Sequence, residues 1–153
     1  MFSTLIATIL WTDSQEPSSD EPVVRDADAG SIMHELLHAR SVSYHTPLQF
    51  RTYQRMEEGA VSYLTKAISQ QQGMFYNPSY REQVNALEQM RGFLRPDGSE
   101  LDFALEFYRV DMLQRGDWLL REISNASANI SRNDRQYLEN LFFEKLSLKR
   151  WYE

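Results

Sequence analysis

The stretch that most restricts how this chain can fold is His34-Glu35-Leu36-Leu37-His38, because its two imidazoles can act together only from a helix. Residues four apart on a helix lie one above the other, so both rings point the same way and can grip one metal ion. Glu35 sits one position round from His34, close enough to reach a metal-bound water without ligating the metal itself. Zinc takes its ligands tetrahedrally, and a catalytic zinc site leaves one position for water. Two histidines and a neighbouring carboxylate therefore describe most of a hydrolytic zinc centre, lacking a third protein ligand. The motif alone is a weak signal, since three fixed positions recur by chance about once in several thousand residues. The competing reading is a coincidental surface pair.

Composition narrows the search for that ligand. The chain has no cysteine, so thiolate sites and disulfides are excluded, and its histidines are His34, His38 and His45. Any further ligand is then a carboxylate, or His45. A net charge of −6 argues against a nucleic-acid partner. The 153 residues suit a single domain, 1–153, with the balance of apolar and charged residues usual for a soluble protein. The apolar run 1–11 is too short to span a bilayer, and it lacks the basic start and cleavage site of a signal peptide. The expectation is a cytoplasmic protein with no membrane partner.

The pattern along the chain predicts an α+β, mostly helical fold with a short N-terminal strand region and about five or six helices. Residues 4–11 are rich in β-branched and aromatic side chains and read as the strand. Residues 12–30, acidic and carrying Pro17 and Pro22, read as a loop or linker. Ser31 is the expected N-cap of the histidine helix, which should stop before Pro47. A second helix is expected over 50–72, closed by Gly73. Ser79-x-x-Glu82 has the form of a capping box for a third, and Ser99-x-x-Asp102 opens a fourth. Gly116-Asp117 is expected to break that run before a short helix over 118–123, and Ser131 caps the last.

Two arrangements could complete the metal site. A glycine and then a third histidine close behind the motif, as in the metzincins, would have to fall on Ser41 and Tyr44; neither matches, and His45 misses by one position. The alternative is a glutamate from a helix packed across the first. Glu57-Glu58-Gly59-Ala60-Val61-Ser62-Tyr63 lies on the expected second helix, after a turn long enough for an antiparallel return. Glu58, directly before Gly59, is the favoured ligand and Glu57 the rival.

His34-Glu35-Leu36-Leu37-His38 followed by Glu58-Gly59 and Tyr63 resembles the gluzincin metallopeptidases, in particular the aminopeptidase-N-like group. The resemblance covers residues 34–63. It implies a zincin-like domain in which His34, His38 and Glu58 bind Zn2+ and Glu35 acts as general base on the zinc-bound water. It also implies a peptide or protein substrate. The linker is one residue longer than that group's, and the group's glycine-rich exopeptidase motif is absent, so an endopeptidase is the expected activity. In some gluzincins a tyrosine stabilises the oxyanion, and Tyr76, Tyr80 and Tyr108 are the candidates for that part. A weaker likeness, through 34–41 and Glu57-Glu58-Gly59, is to metallopeptidase-like segments of bacteriophage head proteins. It supports the alternative expectation of a non-catalytic helical module that docks into a larger assembly, with a structural or vestigial metal site.

Overall fold

The computed structural model describes residues 26–42 and 45–147, and among these every regular element is helical. Six α-helices follow one another: α1 (Asp26–Val42), α2 (Pro47–Gln71), α3 (Arg81–Leu94), α4 (Glu100–Arg109), α5 (Arg115–Asn125) and α6 (Arg132–Leu141). Short 3₁₀ turns stand at Met112–Gln114 and Ala126–Ala128, and α6 runs into a π-helical turn, Phe142–Leu146. The strand expected over residues 4–11 lies outside the described residues. None of the described helices is long and apolar enough to cross a membrane.

The molecule is built around α2. From Met56 to Thr65 every residue of α2 is buried, whereas surface helices bury one stripe. Helices α1, α3 and α4 pack on its different sides. Ala60, Val61 and Leu64 meet Leu87 and Met90 of α3, Phe103 and Phe107 of α4, and Leu119 of α5 in one continuous core. Burial of each such large side chain contributes about 1.5–3 kcal/mol. A helix surrounded in this way has no solvent face on which to place a charge cheaply, and Glu57 and Glu58 both lie in its buried stretch.

Several expected boundaries move, for local reasons. Helix α1 begins at Asp26, so 26–30 are helical rather than loop, and Ser31 is an interior residue instead of the N-cap. Helix α2 begins at Pro47, three residues before the expected start. Thr46 accepts a hydrogen bond from the Gln49 amide while the Gln49 side chain accepts from the Thr46 amide, a reciprocal cap that apolar periodicity does not register. Its far end is closed by Gly73 at φ 67°, as expected. Ser79 caps nothing: α3 starts at Arg81, and Tyr80 at its cap position makes no side-chain capping bond. Ser99 and Ser131 do cap α4 and α6, accepting from the Asp102 and Asp134 amides. Gly116 and Asp117 lie inside α5; the interruption falls at Val110–Asp111, where Asp111 accepts from the Leu113 amide and starts a new turn.

Candidate metal centre

His34 and His38 both face α2, one turn apart on α1, beside Glu57 and Glu58 near the start of the buried stretch of α2. Their Nε2 atoms are 3.1 Å apart. The Glu58 carboxylate reaches in from α2, its Oε2 at 2.9 Å from His38 Nε2 and 3.5 Å from His34 Nε2. Ligand atoms bonded tetrahedrally to one zinc at 2.0–2.1 Å stand roughly 3.3 Å apart, so this triangle is of the size a small divalent cation needs. His34, His38 and Glu58 thus form a largely buried group that could hold a metal ion.

The other nitrogen of each ring is also engaged. His38 Nδ1 is 3.3 Å from Glu57 Oε1, and His34 Nδ1 is 3.1 Å from the Tyr76 hydroxyl. Holding both Nδ1 atoms leaves both Nε2 atoms aimed at Glu58, the orientation that metal-ligating histidines require. Glu57, the rival ligand in the sequence, therefore stands behind His38 and supports it, while Glu58 joins the triad. The two neighbours differ because successive helical residues point about 100° apart.

Glu57 is fully buried, and what permits its charge there is Arg115, itself 1% exposed. The guanidinium bonds Glu57 Oε2 and spends its remaining donors on Ser41 Oγ at 3.1 Å and on the carbonyls of Phe107, Tyr108 and Val110. Ser41 Oγ adds a second bond to Glu57 Oε2, at 3.0 Å. Every partner of this buried pair is thus satisfied, the condition under which such a pair can be kept in a core. Sequence reasoning missed Arg115. It lies 58 positions from Glu57, and the one local hint was an arginine heading an otherwise apolar-faced helix.

These contacts set the charges. Burial works against the charged form of His38, but the bonds and charges of Glu57 and Glu58 outweigh it and raise the ring to about 9. Burial likewise opposes ionisation of Glu58, and the two histidines overcome it, lowering that carboxyl to about 2. Glu57 is also lowered, against its burial, by His38 and Arg115. Without metal the centre is thus an imidazolium held between two carboxylates.

The triad lies in the wall of a cleft of about 650 Å³, shared with Glu35, His45, Phe50 and Tyr80. Glu35 is exposed on the face of α1 next to His34 and opens into this space. His45 Nε2 lies 3.3 Å from Asp111 Oδ2, so this histidine is tied to the cleft wall and takes no place among the ligands. Of the three tyrosines considered, Tyr108 donates to the Leu37 carbonyl at 2.8 Å and fastens α4 to α1, and Tyr76 is bonded to His34. Tyr80 lines the cleft beside Glu58; burial and the Glu58 charge push its phenol up, which keeps it a hydrogen-bond donor.

Compared with known proteins, the chain matches no family model, no curated sequence and no solved structure.

Proposed function

We propose that the chain is a zinc-dependent metallopeptidase that cuts within polypeptides. The observation that carries this reading is the convergence of His34 Nε2, His38 Nε2 and Glu58 Oε2 on one point in a cleft that also holds Glu35. Two imidazoles and one carboxylate are a donor set that zinc takes in hydrolytic sites, with a fourth position left for water. Bound there, zinc would lower the pKa of water to about 7 and polarise a peptide carbonyl.

The chain's own groups then have distinct parts. His34, His38 and Glu58 hold the cation, and Glu57 and Tyr76 fix the rings. Glu35 accepts the proton of the attacking water and passes it to the leaving amine nitrogen. Tyr80 donates its phenol hydrogen to the carbonyl oxygen as charge builds on it. Among the described residues lining the cleft there is no lysine or arginine to seat a terminal carboxylate, which supports internal bonds as the target.

The test is metal content and casein cleavage, measured on the same preparations. The native chain is expected to retain one equivalent of zinc through dialysis and to cut unfolded casein. Glu35→Gln should keep the zinc and lose cleavage, because an amide cannot take the proton. A native chain that binds no zinc, and that is as stable after Glu58→Ala as before, ends this reading.

A further inference from the structure

Between α2 and α3 the chain runs through Met74-Phe75-Tyr76-Asn77-Pro78-Ser79-Tyr80 without a helical turn, and its exposure alternates strictly. Phe75, Asn77 and Ser79 are exposed; Met74, Tyr76, Pro78 and Tyr80 are half-buried. A period of two is the mark of an extended strand, with successive side chains on opposite faces. Pro78 reinforces it, since a residue before proline is driven to extended backbone, here Asn77. The segment is held to the body by the inward Tyr76, bonded to His34. Gly30 makes this possible: a Cβ there would come within 2.8 Å of Tyr76 Cδ2.

No strand is paired beside this extended stretch among the described residues. Among the described residues no hydrogen bond engages the backbone N–H or C=O groups of Phe75, Tyr76, Asn77 or Ser79. Tyr76, Asn77, Ser79 and Tyr80 nevertheless line the same cleft as the metal triad. A row of unpaired peptide groups beside a cleft is a template for one more strand. Pro78 in the row removes one donor, which is tolerated at a sheet edge.

We infer that residues 74–80 are the substrate-reading edge of the cleft, along which a polypeptide substrate lies extended, paired backbone to backbone beside the triad. Within this edge the five residues 74–78, ahead of the bend at Ser79, span roughly 16 Å of extended chain, long enough to hold several substrate residues on one side of the cut bond. Backbone pairing is indifferent to sequence, and the side chains on the two faces supply the preference. Phe75, 67% exposed, is the large apolar group on the outward face, and it sets a preference for an aromatic or β-branched substrate residue opposite it. This inference rests on the hydrolytic reading above.

Zinc-loaded Glu35→Gln chain with β-casein, an unfolded polypeptide, tests it by amide hydrogen exchange. Saturating casein is expected to slow exchange at Phe75, Tyr76, Asn77 or Ser79 by about tenfold or more, with an alternating pattern of protected and unprotected amides. In the otherwise native chain, Phe75→Ala is expected to raise KM for casein several-fold at unchanged kcat. If all four amides stay unprotected, the edge is overturned, whether or not the native chain cuts casein. If they are protected but the native chain with zinc leaves casein intact, the edge stands and the hydrolytic reading fails.

Discussion

His34 and His38 leave the same helix one turn apart and converge on the same carboxylate, yet they are held by different means. Behind His38 is a charged, closed assembly: Glu57, Arg115 and Ser41, all from helices, with Glu57 and Arg115 wholly buried. Behind His34 is one neutral phenol, Tyr76, carried by the non-helical segment that borders the cleft. A carboxylate on Nδ1 makes an imidazole both more basic and more firmly oriented than a phenol does. The His38 side is thus the rigid anchor of the centre. The His34 side couples the centre to the wall on which the inferred substrate edge lies.

The comparison is open to attack, most strongly at Arg115. Arg115→Met leaves Glu57 buried without its cation and should cost about 3–5 kcal/mol in urea unfolding. Adding Glu57→Gln should recover most of that stability while leaving metal binding impaired. An Arg115→Met chain as stable as the native one would dissolve the idea of a rigid anchor.

Next in size is the effect of pH on the metal equilibrium. The folded pKa of His38 is raised to about 9 from 6.5, so a metal ion must displace its proton throughout that interval. Zinc affinity, followed by competition with a chelator, should climb about tenfold per pH unit there and level off above. In the metal-free chain the sign is reversed for stability. The His38 contribution is complete below 6.5 and lost as pH rises through about 9; that of Glu58, lowered to about 2 from 4.5, is complete above 4.5 and lost as pH falls through about 2. Thermal unfolding of chelator-treated chain should therefore gain most from this pair between 4.5 and 6.5.

A more direct contrast comes from the two supports themselves. Glu57→Gln should weaken zinc binding by about 10–100-fold, and Tyr76→Phe by about tenfold or less. Equal losses, measured by the same competition, would erase the distinction. The smallest effect is expected at Gly30→Ala, where a gain in helix propensity of about 0.5–1 kcal/mol opposes the displacement of the Tyr76 ring. Its net change in Tm should be small, with a loss of zinc affinity no greater than that of Tyr76→Phe. A larger loss would mean that Gly30 supports the centre by another route.

Much of the centre was legible because it is local. The spacing of His34 and His38 works through one helical turn, and the position of Glu58 needs a single antiparallel return. The caps at Ser99 and Ser131 were readable for the same reason, each involving four consecutive residues. Ser31 and Ser79 carried equally good local signals and cap nothing. Ser31 is overridden because the helix extends back to Asp26, and Ser79 because the chain bends there and α3 starts only at Arg81, with Tyr80 at its cap position. The strand expectation for residues 4–11 lies outside the described residues, and the described residues contain an extended element that no periodicity of apolar residues announced.

What the amino-acid order determined unaided is a helix presenting two imidazoles and a following helix presenting two adjacent acids. Which acid completes the triad depended on the rotation of α2 about its own axis, and packing against α1, α3 and α4 set that rotation. Arg115, and the bond by which Tyr76 holds His34, entered only through the tertiary fold, the two residues lying 58 and 42 positions from the groups they hold. Periodicity carries information over a few residues, whereas a buried charge is satisfied by whichever cation the packing of distant helices brings beside it.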